Sequence, residues 1–366
     1  MIVQPFVYFV KEFYESDCIL SKTLSNFIAS CQFRVLSSSD ISASRYSIYS
    51  HLHMGYDCLQ HRYKEMSGME TSSNHDHSRH INTWKDVAYG PHPRNILDFY
   101  QAGTEKPAPL LVNIHGGGWM GGGKHLIFDM VDVCIPAGIS VASIEYRLIL
   151  DAVQDGLQPP VKAPMEDAAR AVQFLRSRAK EWSIDPARVA GTGGSAGACT
   201  TLWLAFHKDL ADPSSSDPVS RESTKFSCVW PRNAQTSLDP RQLTSWLPNY
   251  FYGAHAFGYF KPDGKSGDYA RFLQEADALD PLLEEYSPYA LADADSPPVG
   301  LFYEKAPPPP GELVQDPTHS AVQGIELKKK LDSLGIKNYL VYPGSADADM
   351  TLLRFLQSVW GMEPAA

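Results

Sequence analysis

Arg188-Val189-Ala190-Gly191-Thr192-Gly193-Gly194-Ser195-Ala196-Gly197-Ala198 is the stretch on which the reading of this chain turns. Its centre, Gly193 to Gly197, is a G-x-S-x-G pentapeptide between a short β-branched segment and the helical run from Cys199 to His207. A strand that turns abruptly into a helix strains the residue at the tip and brings neighbouring backbones close. The flanking residues must then be very small. Such a turn holds the Ser195 hydroxyl out at the top of a sheet, beside the N–H groups of a helix start.

Upstream, directly after the apolar run Leu110 to Ile114, stands His115-Gly116-Gly117-Gly118-Trp119. Acyl transfer through a serine develops negative charge on the carbonyl oxygen. Bare N–H groups of a glycine loop can be aimed at that oxygen without side chains intervening. Gly116 and Gly117 are the candidate donors, joined by Ala196, the residue after the serine. The pair H-G-G-G-W and G-G-S-A-G, in this order and with this segment between them, resembles the esterase/lipase branch of the α/β-hydrolase fold. Gly194 stands where the hormone-sensitive-lipase-like members usually carry an acidic residue, so the closer likeness is to acetyl- and xylan-esterase-like members.

The 366 residues, 43% hydrophobic and 20% charged, suffice for a full α/β core. A formal net charge of -10 and the lack of a basic stripe give no support to a nucleic-acid partner. No apolar run reaches the roughly 18–20 residues of a membrane span. The apolar opening Met1 to Val10 lacks a basic start and is cut by Lys11 and Glu12, so no secretory signal is evident. Six cysteines are scattered without C-x-x-C spacing, which favours free thiols and a reducing, cytoplasmic setting.

Residues 1–80 are Ser- and His-rich without sustained periodicity and read as a poorly ordered extension. His51, His53, His75, His77 and His80 read as a solvated tail rather than metal ligands. Met66 and Met69 lie where the working protein would begin if the extension were an over-called start. From 81 to 362 strand and helix signals alternate, which predicts a doubly wound, mostly parallel sheet with helices on both faces. Strands are expected at Asn95 to Tyr100, Leu110 to Ile114, Ser140 to Tyr146, Phe226 to Trp230, Val299 to Tyr303 and Tyr339 to Tyr342. Helices are expected at Phe128 to Ala137, Pro164 to Trp182 and Val322 to Leu334. The aromatic-rich stretch 231–285 is too long for a simple connection; the resemblance implies a cap-like insertion over the pocket, and the residues alone equally allow an irregular surface excursion packed by its own aromatics.

A serine nucleophile needs a histidine base and an acid that fixes its tautomer. The resemblance implies the chain order serine, acid, histidine, with the acid after the strand Val299 to Tyr303. Asp316 fits that place; Glu304 and Glu312 are the other acidic candidates, and an Asp beside Pro317 also suits a helix cap. The histidine is expected after Tyr339 to Tyr342, but the chain there reads Pro343-Gly344-Ser345-Ala346-Asp347-Ala348-Asp349-Met350. After Ser195 the histidines are His207, His255 and His319. His207 reads as a helix-end residue, His255 lies in the insertion within reach of a substrate, and His319 shares the segment of Asp316. The catalytic set read here is therefore Ser195, Asp316 and His319, for hydrolysis of a small-molecule carboxylic ester with a short acyl group, with no metal or organic cofactor required. The alternative is a hydrolase-fold binding protein that lacks its base.

Two glycine signals point elsewhere and fail. Gly118-x-x-x-x-Gly123-Lys124 approximates a phosphate-binding loop, but His125 stands where a Ser or Thr is needed. Gly191-x-Gly193-x-x-Ala196 mimics a dinucleotide fingerprint, which belongs in the first strand–helix unit rather than after two strands.

Overall fold

The computed structural model describes residues 82–127, 129–309 and 312–363. The expectations placed on residues 1–80, including the histidine tail and the alternative start, lie outside the described residues.

Among the described residues, eight strands form one sheet in the order β1-β2-β4-β3-β5-β6-β7-β8. They are β1 (Thr83–Ala88), β2 (Ile96–Tyr100), β3 (Ala108–Ile114), β4 (Ser140–Ile144), β5 (Ile184–Gly194), β6 (Cys228–Arg232), β7 (Val299–Phe302) and β8 (Asn338–Val341). β1 and β2 pair antiparallel, as do β2 and β4, and every pair from β4 through β8 is parallel. β3 is buried at every position, as a central strand covered on both faces must be. β1 was not foreseen; a register irregularity between Trp84 and Val87 and its exposed side chains blur its alternation.

Helices cover both faces. The described ones are α1 (Met130–Cys134), α2 (Ile149–Gln154), α3 (Lys162–Ser177), α4 (Ala196–Phe206), α5 (Pro240–Trp246), α6 (Tyr269–Gln274), α7 (Asp280–Tyr286), α8 (Pro288–Leu291), α9 (Ala321–Ser333) and α10 (Leu352–Trp360). Side chains of α3, α4 and α9 join one core, and those of α1 and α10 join the other. This is the doubly wound arrangement the alternation predicts.

Three helices depart from expectation at their ends, α4 by starting at Ala196, directly after the serine, rather than at Cys199. α1 is shorter than the Phe128 to Ala137 reading. α3 begins at Lys162 and ends at Ser177 because Arg178 leaves helical geometry (φ −93°, ψ 3°). Trp182 therefore lies outside the helix, yet it stays buried and stacks on Phe99 with ring centroids 4.6 Å apart. A turn delivers the apolar side chain to the same core the helical stripe would have reached.

α4 is buried along its whole length. Such a helix is held by tertiary packing rather than by an amphipathic face. Leu202, Trp203, Leu204 and Phe206 each contribute about 1.5–3 kcal/mol by leaving water. The helix that starts at Ser195 is thereby fixed to the sheet.

Candidate active site

The tip residue Ser195 adopts φ 53°, ψ −120°, a conformation that costs a non-glycine residue backbone strain. The surrounding glycines are sterically required. A Cβ on Gly197 would lie 2.0 Å from the Ile114 carbonyl oxygen, and one on Gly193 2.4 Å from the same atom. The start of α4 thus rests directly on the end of β3. The Ser195 N–H donates to the Arg232 carbonyl (2.9 Å), which ties the turn to the end of β6.

The glycine loop is built against this turn. A Cβ on Gly116 would meet the Gly194 carbonyl oxygen at 2.6 Å and the Ser195 Cβ at 3.4 Å. Gly117, Gly118 and Trp119 follow with φ of 106°, 63° and 56°. Among the described residues the Gly116 and Gly117 N–H groups make no hydrogen bond within the protein, and the Ala196 N–H belongs to the unpaired first turn of α4. Gly116 and Gly117 line the same cavity as Ser195.

The loop is braced from several sides. The Trp119 indole N–H donates to Thr200 Oγ1 on α4 (3.0 Å). The Tyr146 hydroxyl donates to the His115 carbonyl (2.6 Å), and the two rings stack with centroids 4.1 Å apart. Glu145 accepts from the Lys124 N–H (2.8 Å) and pairs with Arg94 at 2.5 Å. Burial would raise the Glu145 carboxyl, but the His115 ring and the Lys124 amide hold it below its ordinary value. His255 Nε2 donates to the Gly118 carbonyl (2.8 Å), with the Tyr252 hydroxyl beside it against Gly118. Burial lowers the His255 pKa, which keeps the ring neutral. The expectation that His255 reaches substrate is corrected here: it is buried behind the loop, with its free N–H spent on the backbone.

After β7 the chain reaches a 3₁₀ turn, Pro317–His319, with Asp316 at its start. Residues three apart eclipse in such a turn, so Asp316 and His319 share an edge. Asp316 does not use its side chain as a cap. Its Oδ2 instead accepts from His319 Nδ1 at 2.8 Å. His319 Nε2 lies 2.9 Å from Ser195 Oγ. With Nδ1–H given to a carboxylate, Nε2 carries the lone pair and the serine hydroxyl donates to it. The histidine and the acid are both about half-exposed. Of the other candidates, Glu304 meets Arg232 at 3.8 Å, Glu312 is exposed, and His207 caps α4 and pairs with Glu285 at 2.9 Å.

A cavity of about 610 Å³ opens over this arrangement, with Gly116, Gly117 and Ser195 on one wall and residues of the 304–321 segment on the other. Of the 231–285 stretch, Arg232 and Asn233 line it, while His255 reaches the Gly118 carbonyl and Asn249 Nδ2 donates to the Val314 carbonyl (2.7 Å). Among the described residues, no group of histidine, cysteine and acidic side chains has the geometry to hold a metal ion.

A model of the BD-FAE family matches residues 97–306. The chain belongs to the BD-FAE family. The BD-FAE match contains the glycine loop and Ser195 but ends before Asp316 and His319. The chain is similar to a probable isoprenylcysteine alpha-carbonyl methylesterase of Arabidopsis thaliana, 28% identical over 147 residues, covering 40% of this chain and 29% of that protein. It is also similar to the versiconal hemiacetal acetate esterase of Dothistroma septosporum, 31% identical over 118 residues, covering 31% of this chain and 33% of that protein. The chain thus spans about a third of the length of these curated relatives. A truncated carbohydrate esterase from gut microbiota superposes with a TM-score of 0.54 at 18% identity, covering 76% of this chain and 94% of that one. The BD-FAE chain described here accordingly has the α/β-hydrolase fold its two motifs foretell.

Proposed function

We propose that this protein hydrolyses carboxylic esters with a short acyl group through Ser195. The observation that carries the reading is the continuous line Ser195 Oγ, His319 Nε2, His319 Nδ1, Asp316 Oδ2, with contacts of 2.9 and 2.8 Å at its two joints. In this reading Ser195 Oγ attacks the ester carbonyl carbon while His319 Nε2 takes its proton. The carbonyl π electrons move onto oxygen, where the N–H groups of Gly116, Gly117 and Ala196 stabilise the charge. The tetrahedral adduct collapses as His319 returns the proton to the departing alkoxide, leaving an acyl-serine and a free alcohol. Water then adds with its proton passing to His319, and collapse releases the acid and restores Ser195. Asp316 holds the imidazole in the required tautomer and stabilises its cation. The acetate esterase similarity supports a short acyl group.

Hydrolysis of p-nitrophenyl acetate tests this. Ser195→Ala and His319→Ala should each abolish turnover above background, and Asp316→Asn should lower kcat by about 10²–10⁴. A fluorophosphonate should label Ser195 alone. Wild-type turnover that survives Ser195→Ala unchanged would sink the proposal.

A further inference from the structure

The base and its acid sit on one short turn, and that turn cannot hold itself. A three-residue 3₁₀ turn has few internal bonds, and Ser320 leaves helical geometry at once (φ −76°, ψ 135°). The carbonyls of Pro317 and Thr318 need donors from outside the turn. Two buried glutamines supply them. Gln323 Nε2 donates to the Pro317 carbonyl (3.1 Å) and the Thr318 carbonyl (3.0 Å). Gln235 Nε2 donates to the Thr318 carbonyl at 2.9 Å.

The same residues connect the turn to the serine. Gln323 Oε1 accepts from the Thr236 N–H (3.1 Å), and Thr236 Oγ1 donates to the Gln323 carbonyl (2.9 Å). Gln235 and Thr236 follow the end of β6, whose Arg232 carbonyl accepts the Ser195 N–H. A short path of hydrogen bonds therefore runs from the nucleophile turn, through the exit of β6, to the backbone of the base. In sequence, Ser320-Ala321-Val322-Gln323 spells a capping box, in which Gln323 would return to the Ser320 N–H. Ser320 does cap Val322 at 3.2 Å, but the Gln323 amide is diverted to the turn and to Thr236.

Gln235 shows that stability alone does not explain the pair. It is 1% exposed, and among the described residues its Oε1 has no hydrogen-bond partner. A buried acceptor left unpaired is destabilising. An apolar side chain of similar size would avoid that cost but would leave Thr318 with a single side-chain donor.

We infer that Gln235 and Gln323 are positioning residues that set the His319 Nε2 to Ser195 Oγ distance, an inference that rests on the proposed serine mechanism. They do for the 316–319 turn what a strand end would do for a base placed after β8.

The experiment compares p-nitrophenyl acetate kinetics of wild type, Ser195→Ala, Gln235→Met, Gln323→Met and Gln235→Glu, with thermal melts and far-UV circular dichroism at each pH. Each Met variant should lose about 10- to 100-fold in kcat with KM changed by less than about threefold, while remaining folded. Gln235→Glu should recover activity on the acidic side, where the protonated acid donates to Thr318, and lose it as the buried carboxyl ionises. That descending limb should appear in fully folded protein and be absent from wild type. Folded Met variants with wild-type kcat, or a Gln235→Glu profile parallel to wild type, overturn the inference. If the Met variants fail to fold, the Gln235→Glu profile decides alone. If Ser195→Ala keeps the wild-type rate, the mechanism itself has failed and the inference falls with it, a result read before any glutamine variant is assayed.

Discussion

Replacing Gly118 by alanine probes how tightly the glycine loop is clamped, because two separable effects meet at this residue. Gly118 has φ 63°, where a Cβ costs about 1–2 kcal/mol relative to glycine. The added Cβ would also lie 2.1 Å from the Tyr252 hydroxyl oxygen, more than about 1 Å inside van der Waals contact. Once that oxygen is gone, the nearest remaining neighbours are Tyr252 Cζ at 3.4 Å and His255 Nε2 at 3.8 Å, both ordinary contacts. Gly118→Ala should therefore displace the loop and lower kcat by about 100-fold. Tyr252→Phe should behave like wild type, since no hydrogen bond holds that hydroxyl among the described residues. The double variant should recover about 3- to 20-fold of the loss and retain only the backbone term, about 5- to 30-fold. Initial rates on p-nitrophenyl acetate, run with thermal melts, complete the cycle. A double variant no better than Gly118→Ala would refute the steric reasoning and leave backbone strain as the sole cause.

Stability should also respond to pH through His255. Its folded pKa is depressed below the ordinary 6.5 by burial, so its contribution is fully present above that value and is lost as pH falls through the lowered folded value. Urea melts from pH 8 downward should show midpoints falling below about pH 6.5, and His255→Gln should flatten that slope; parallel slopes would exclude His255 as the source. Away from the site, Gly300→Ala places a Cβ 2.1 Å from Trp230 Cε3 and 2.4 Å from Cζ3 between β7 and β6. It should lower the melting temperature by about 2–12 °C, and an unchanged melt would show that Trp230 can move aside.

Much of the fold was legible because it follows from short-range rules. Buried parallel strands announce themselves as continuous apolar runs, and β3 and β4 appeared where those runs lie. The elements that escaped had weaker signals. β1 is an exposed edge strand, and α10 was marked only by Thr351, which caps it, and by Gly361, which ends it at φ 62°. The role of Gln323 was hidden because its capping-box spelling has a sufficient local explanation.

The sequence by itself determined the serine turn and the glycine loop. Both are spelled by contacts that allow only one kind of residue: Gly193 and Gly197 face the Ile114 carbonyl, and Gly116 faces that of Gly194. Sterics at this range leave a mark in composition, so G-x-S-x-G and H-G-G-G-W could be read without coordinates. The pairing of Ser195 with His319 was of another kind. The two residues are 124 positions apart, and His207, His255 and His319 all follow the serine. Hydrogen-bond geometry distinguished among them, and it depends on β6 lying between β5 and β7 in the sheet and on how buried glutamines hold a three-residue turn. Those are relations between distant segments, and only the folded chain brings them together.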